Sequence, residues 1–532
     1  MVDPEVGASL AELDRQRVTA RIWGRDHTVW KPGPREISDR LGWLTVCGAM
    51  GERVPSLRAF ADEAKAEGCR HVVLMGMGGS SLGPEVLRRV FGPAEGHPDL
   101  TVLDSTLPQV VRGVQSAIDP ARTLFLVSSK SGSTIEPLSF YKHFRDLLDR
   151  ELGRERAGRA FAAITDPGTS LEEMARQHGF RRVFANPPDV GGRYSVLSYF
   201  GLVPAALLGV DLDLLLERAG GMAARCGPSA PTGDNPGAAL GAAIGAMAAA
   251  GRDKLTLVAS PGLAAFGLWV EQLLAESTGK EGRGVVPVVG EALSGPDRYG
   301  RDRLFVHLRL RGDGNADADA ALEAIEGSGH PVLRLDLCDA YDLGGEFFRW
   351  EFATAVAGAV LGINPFDQPD VQGAKDATDR MMEHYLEKGR LPSVDASDDL
   401  RALLEGARPG DYLAVTAYLP EGPAVREAFD DLRRRVMDRY GIATTVGYGP
   451  RYLHSTGQLH KGGPNTALCL QVAADPEGDL PVPGEPYSFA VLARSQALGD
   501  LQALGAARRR VVRASLGDDP AEGIRRLAGL AA

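Results

Sequence analysis

A chain of 532 residues is too long for one hydrophobic core, and at about 150 residues per domain it divides into roughly three. With 44% hydrophobic and 24% charged residues the composition is that of an ordinary soluble globular protein. The net charge of −11, with Lys and Arg nowhere gathered into a stripe, argues against nucleic acid and anionic membrane as partners, while local amides and a few cations can still bind a small anion.

The N-terminal sequence MVDPEVGASLAELDRQR has no basic-then-apolar signal pattern. Residues 1–45 read as a helical arm, with Leu10, Leu13 and Val18 on one face ahead of a turn at Lys31-Pro-Gly-Pro. Over 46–225, short apolar runs at His71–Met75, Leu100–Leu103, Thr123–Val127, Phe161–Ile164 and Arg182–Phe184 alternate with helix-length segments. That rhythm predicts a doubly wound α/β unit whose parallel sheet is covered by helices on both faces.

A second such unit is expected over 226–395, with strands near Lys254–Ala259, Val285–Val289, Leu304–Leu310 and Val332–Leu335. Its most membrane-like stretch, Gly237–Ala250, falls short of the roughly 20 residues a span needs and reads as a buried helix capped by Asn235 and Pro236. Gly237, Gly241 and Gly245 there leave room for a neighbouring backbone. A smaller α/β unit over 396–532 carries apolar runs at Tyr412–Ala417, Ile442–Val446 and Ala467–Val472. The five cysteines, Cys47, Cys69, Cys226, Cys338 and Cys469, are odd in number and never form a C-x-x-C pair, which points to reduced thiols in a cytoplasm and to no zinc cluster.

Two loops carry anion-binding chemistry. Gly76-Met-Gly-Gly-Ser-Ser-Leu-Gly83 and Ser128-Ser-Lys-Ser-Gly-Ser-Thr134 each follow a strand and open a helix, where amides, hydroxyls and the Lys130 ammonium suit a phosphate monoester. A dinucleotide reading starts well, with Gly76-x-Gly78 and with Asp104 ending the next strand. It fails at residue 81, a serine where the third glycine belongs, and the Walker pattern fails because Pro84 follows Gly83.

Four further patterns suggest catalysis. Val190-Gly-Gly-Arg-Tyr-Ser195 places Arg193 beyond two glycines, where it can serve a developing oxyanion or simply end a turn. The segment Pro261–Ala275 reads as a helix delivering Glu276 in Glu276-Ser-Thr-Gly-Lys280, with Gln272 four residues earlier on the same face; a carboxylate so placed suits a general base. Phe366-Asp-Gln-Pro-Asp-Val-Gln-Gly-Ala-Lys375 opens a helix at Pro369, which would set Gln368 and Lys375 on one face two turns apart. Tyr452-Leu-His-Ser-Thr-Gly-Gln-Leu-His-Lys461 is a loop with two histidines and no metal-ligand spacing.

Taken together, these motifs resemble the glucose-6-phosphate isomerase family. GMGGSSLG and SSKSGST resemble its two phosphate-side loops, VGGRYSVLSYFG its arginine signature, EQLLAESTGK its glutamate helix and FDQPDVQGAK its lysine signature, all in the family's order. The C-terminal part, with GYGPRYLHSTGQLHKGGPN, is most similar to the isomerase half of fused transaldolase–glucose-6-phosphate isomerases, although this chain has no room for the transaldolase barrel. The resemblance implies two sugar isomerase (SIS) domains sharing a cleft, a homodimer, a sugar phosphate as substrate, and neither metal nor cofactor. It implies that Gly79, Ser80, Ser129, Ser131 and Thr134 hold the phosphate with Lys130 beside them, and that Gln272 and Gln368 line the sugar. Arg193 would steady the enediol oxygens, Glu276 would move the proton between C1 and C2, and Lys375 and His454 would open the ring.

One departure concerns the histidine. The family's ring-opening histidine lies soon after the glutamate motif, in a loop reading L-H-S-x-G-Q in some bacterial members; here that stretch, Leu293–Tyr299, has none, and the same letters recur at Leu453–Gln458. His460 is therefore a rival to His454. A phosphomannose activity alongside the phosphoglucose one would preserve every motif, and a non-catalytic sugar-phosphate sensor would keep the phosphate loops without needing Glu276, Arg193 and Lys375.

Overall fold

The computed structural model describes residues 3–394, 396–474 and 478–531. The arm begins with helix α1 (Pro4–Arg15), whose N-terminus is capped by the Asp3 side chain and whose Leu13 is buried. Beyond it the Trp23 and Trp30 indoles donate to the carbonyls of Cys226 and Ala355, 2.7 Å each, so the arm is fastened across the middle of the chain.

The first sheet holds β1 (His71–Gly76), β2 (Asp99–Leu103), β3 (Thr123–Ser128), β4 (Phe161–Thr165) and β5 (Arg182–Ala185), in the order β2-β1-β3-β4-β5 with every pair parallel. β1 reads HVVLMG without alternation because helices cover both faces of the sheet. Helix α2 (Leu82–Phe91) leaves the β1 loop and α3 (Ile135–Leu152) leaves the β3 loop.

The second unit starts with α4 (Pro236–Ala249) and continues through β6 (Lys254–Ala259), α5 (Phe266–Thr278), β7 (Val286–Val289), β8 (Arg303–Leu310), β9 (Val332–Leu337) and α6 (Leu343–Leu361). Its sheet runs β7-β6-β8-β9, again all parallel. The segment read as one helix from Pro261 is a short 3-10 turn, Pro261–Leu263, followed by α5, so Glu276 lies inside the last turn of α5. Likewise α7 (Val371–Lys388) begins two residues after Pro369, which leaves Gln368 off the helix and removes the shared face expected for Gln368 and Lys375.

The third unit holds β10 (Tyr412–Tyr418), α8 (Pro423–Tyr440), β11 (Ala443–Tyr448), α9 (Gly457–Gly462), β12 (Ala467–Ala473), α10 (Phe489–Ala506) and β13 (Arg510–Ser515), with parallel order β11-β10-β12-β13. Counted from its own first strand, each of the three sheets runs second, first, third, fourth. The C-terminal unit is thus built on the same plan as the other two. β13 escaped the apolar reading because Arg510 and Arg513 interrupt it; Arg510 forks onto Asp411 at 2.6 and 2.7 Å.

Among the described residues no helix is long and apolar enough to cross a membrane. The alanine-rich α4 lies against α6 instead. A Cβ on Gly241 would stand 2.3 Å from the Ala353 carbonyl oxygen, and one on Gly245 2.7 Å from the Val360 Cβ, so the glycines let the two backbones close up. Gly241→Ala is therefore expected to destabilise by about 1–3 kcal/mol in urea unfolding, as overpacked cores do. Gly220→Ala, in a helix but with nothing within 4 Å of the added carbon, serves as the control and should leave stability unchanged or raise it by up to about 1 kcal/mol. Equal effects at the two sites would show that close helix contact is not the reason for glycine at 241.

Candidate active site

The loops leaving β1 and β3 lie side by side at the C-terminal edge of the first sheet, where parallel sheets place their ligands. The Ser128 hydroxyl donates to the Ser80 carbonyl at 3.1 Å and joins them. In the second loop Ser129 and Thr134 share a hydroxyl hydrogen bond of 2.9 Å, and the Ser133 hydroxyl donates to that of Ser131 at 3.1 Å. The Ser131 hydroxyl also accepts from the Ser133 amide at 3.3 Å, and the cluster can turn toward an anion at the N-terminus of α3, which follows directly. Lys130 points elsewhere: its ammonium is paired with the Asp166 carboxylate and donates to the Pro188 carbonyl, away from the cluster expected of it.

Gly78 and Gly79 make the first loop a meeting point. Gly78 has φ of +54°, and a Cβ there would lie 2.7 Å from the His454 carbonyl oxygen and 2.8 Å from the Gln272 amide nitrogen. A Cβ on Gly79 would lie 2.0 Å from the Gly192 carbonyl oxygen. Any larger residue at 79 would push the arginine turn out of place, so Gly79 acts by allowing that approach.

Arg193, with 4% of its surface exposed, is the most heavily bonded side chain of the cleft. Its Nε donates to Ser277 Oγ (2.8 Å), Nη1 to Gln368 Oε1 (3.0 Å), and Nη2 to the carbonyls of Pro365 (2.9 Å) and Asp367 (2.7 Å). Nη1 also lies 3.3 Å from Glu276 Oε1. Gln272 and Glu276 share a face of α5 as expected, and the Gln272 Nε2 donates both to Glu276 Oε2 (3.0 Å) and to the His454 carbonyl (2.9 Å).

His454 arrives from the third unit, in the turn after β11. Its Nε2 is 2.8 Å from Glu136 Oε1, in the first turn of α3 just past Thr134, and the Gln496 Nε2 on α10 donates to the same oxygen at 2.7 Å. Burial works against the Glu136 carboxylate, but the His454 ring, its hydrogen bond and the nearby Lys375 together hold it below the ordinary glutamate value. A cavity of about 320 Å³ opens here, lined by Ser131, Thr134, Glu136, Lys375, His454 and Gln496, with Lys375 exposed at its mouth. His460 is only 3% exposed, lies 6.5 and 6.3 Å from the Tyr412 and Tyr452 rings, and is pushed down to about 4 by burial. It is a neutral core residue outside the cleft. Asp104, placed by sequence where a ribose-binding acid would stand, is occupied by Arg451 at 2.8 and 3.2 Å.

Three polar residues of the cleft escaped sequence reasoning. Glu136 reads as an ordinary first-turn acid. Lys280, inside the glutamate pentapeptide, is 1% exposed and bonded to Asp367 Oδ1 at 2.7 Å; burial, with Arg193 close by, lowers its ammonium to about 8. Gln458 donates to the Gly279 carbonyl (2.9 Å) and to Asp370 Oδ2 (2.6 Å) and accepts from the Asp370 amide (2.9 Å), clamping the turn after α5 to the segment that opens α7.

A family profile described as phosphoglucose isomerase matches residues 56–291. A glucose-6-phosphate isomerase of Rubrobacter xylanophilus is 32% identical over 376 residues, 62% of this chain and 86% of the relative. One of Symbiobacterium thermophilum is 32% identical over 353 residues, 57% and 78% of the two chains. Among solved structures, a hypothetical protein of Thermus thermophilus aligns with TM-score 0.62 at 27% identity, covering 71% of this chain and 97% of its own. A glucose-6-phosphate isomerase of Chlamydia trachomatis aligns with TM-score 0.55 at 19% identity over 70% and 78%, a likeness of fold.

The Arg193 bonds make a stability prediction independent of any activity. Arg193→Lys keeps the charge but supplies one ammonium where a planar fork reaches in several directions, and it should lower unfolding stability by at least about 2 kcal/mol. A variant with wild-type urea midpoint and slope would show that the guanidinium is not the joint of the cleft.

Proposed function

The chain belongs to the glucose-6-phosphate isomerase family, and from that premise we propose that it interconverts glucose 6-phosphate and fructose 6-phosphate through a cis-enediolate, with the residues of this cleft in the following roles. Ser80, Ser129, Ser131 and Thr134 anchor the phosphate, aided by the N-terminus of α3. His454 and Lys375 open the ring: one proton leaves the C1 hydroxyl, one reaches the ring oxygen, the bond from that oxygen to C1 breaks, and C1 becomes the open-chain carbonyl. Glu276 then takes the C2 proton and returns it to C1. Arg193 lies beside Glu276, where a fixed positive charge favours the enediolate over the neutral sugar. Gln272 and Gln368 line the sugar. Glu136 orients His454 through the hydrogen bond at Nε2.

The observation that carries this reading is the Gln272 amide, which donates at once to Glu276 and to the His454 carbonyl. It sets the base and the turn bearing the ring-opening histidine on one hinge point although they are far apart in sequence. A cytoplasmic, glycolytic and gluconeogenic setting and a homodimer belong to the same proposal; the free cysteines fit a reducing compartment.

Glu276→Gln tests it most directly. The amide cannot accept a proton, so turnover should fall by at least about 10³ and exchange of the C2 hydrogen with solvent should disappear, while inhibition by a phosphorylated sugar acid persists. Near wild-type exchange would remove Glu276 from the mechanism. A pH profile tests the surroundings. Lys280 is charged below about 8 and neutral above it, so kcat/KM should fall on the alkaline side with an apparent pKa near 8 as its hold on Asp367 weakens. In Lys280→Arg the guanidinium stays charged to much higher pH, and that limb should move up by more than about two units. An unmoved limb would assign it to another group.

A further inference from the structure

The second and third units meet as equivalents. In each sheet the second strand stands at the edge, β7 in one and β11 in the other, and these two edges pack against each other. Val286 and Val288 from one side and Ala414, Ala443 and Cys469 from the other share one buried cluster. Hydrogen bonds cross the seam in both directions. From α5, the helix between the first two strands of the second unit, Gln272 donates to the His454 carbonyl in the turn leaving β11 (2.9 Å). From α8, the helix between the first two strands of the third unit, Arg433 donates to the Val289 and Gly290 carbonyls where the chain leaves β7, 2.9 Å each. The like elements of the two units, helix and edge-strand exit, thus bond across the seam in both directions, though not at matching residues, as elements do in a two-fold pairing between two copies of a chain.

The two halves of this internal pair are no longer alike at their sites. Glu276 stands three residues before Gly279 at the end of α5, and Asp438 stands three before Gly441 at the end of α8. The turn leaving β11 brings the His454 carbonyl to the Gln272 amide that also bonds Glu276. The loop leaving β7, Leu293–Tyr299, brings no histidine to Asp438, only Arg298 at 3.8 Å, and Asp438 is 49% exposed. One site is furnished and its equivalent is not. The third unit also supplies Gln496 to Glu136 and Gln458 to the segment opening α7.

We infer that the C-terminal unit is an internal counterpart of the second unit that occupies a partner subunit's place, so that a single chain holds a complete active site. This rests on the reading of Glu276 and His454 as members of one site. Full-length Glu276→Gln and His454→Ala chains carrying different tags are co-expressed and assayed on cyclic glucose 6-phosphate. A site assembled from two chains would leave every mixed dimer with one site intact, and random pairing would recover about a quarter of wild-type activity. A site complete in one chain gives no activity beyond the sum of the two variants, and recovery of that quarter overturns the inference. Activity in either variant alone would instead refute the residue roles proposed above. The inference is then read from the wild type: the monomer fraction isolated after dilution should retain full specific activity, and an inactive monomer overturns it.

Discussion

The cleft depends on one guanidinium. Arg193 comes from the first unit, yet its donors reach Ser277 and Glu276 on α5 and the Pro365–Gln368 segment ahead of α7. A buried arginine is tolerable only when nearly every N–H is matched, and here carbonyl, hydroxyl, amide and carboxylate oxygens share that task. The same bonds fix the distance between units: Gly79 must be bare because the turn carrying Arg193 passes within van der Waals contact of it. Position, charge and backbone approach are thus one constraint.

What the sequence made legible were the features that depend on neighbours along the chain. Apolar runs between glycine turns located the strands of the first two units within a residue or two, most sharply the central ones, β1, β3, β6 and β8, which are covered on both faces. Gln272 and Glu276 touch because a four-residue spacing inside α5 dictates it. The spacing of Gln368 and Lys375 carried no such guarantee, since proline at 369 delays the helix to Val371. The direction of Lys130 was illegible because its partners, Asp166 and Pro188, come from beyond β4 and β5. The pairing of His454 with Glu136 spans 318 positions, and no local pattern announces it.

The third unit follows the same strand order as the others, which explains why a histidine turn displaced to it still reaches the cleft. A turn at the exit of an edge strand points toward the neighbouring sheet whichever copy of the plan carries it. The missing histidine of Leu293–Tyr299 and the present one at 454 thus follow corresponding strands, β7 and β11.

Helix α7 packs along α10 of the third unit. Lys375 and His454 consequently ride on one scaffold, whereas Glu276 and Arg193 ride on the joint between the first two. On the roles proposed above, the division follows the two stages of an aldose–ketose interconversion, ring opening on one support and the carbon-acid step on the other. The Gln272 amide bonds to both supports, so a substitution on the α7–α10 contact that shifts the His454 turn also disturbs the partner of the Glu276 carboxylate, and the two supports are mechanically coupled.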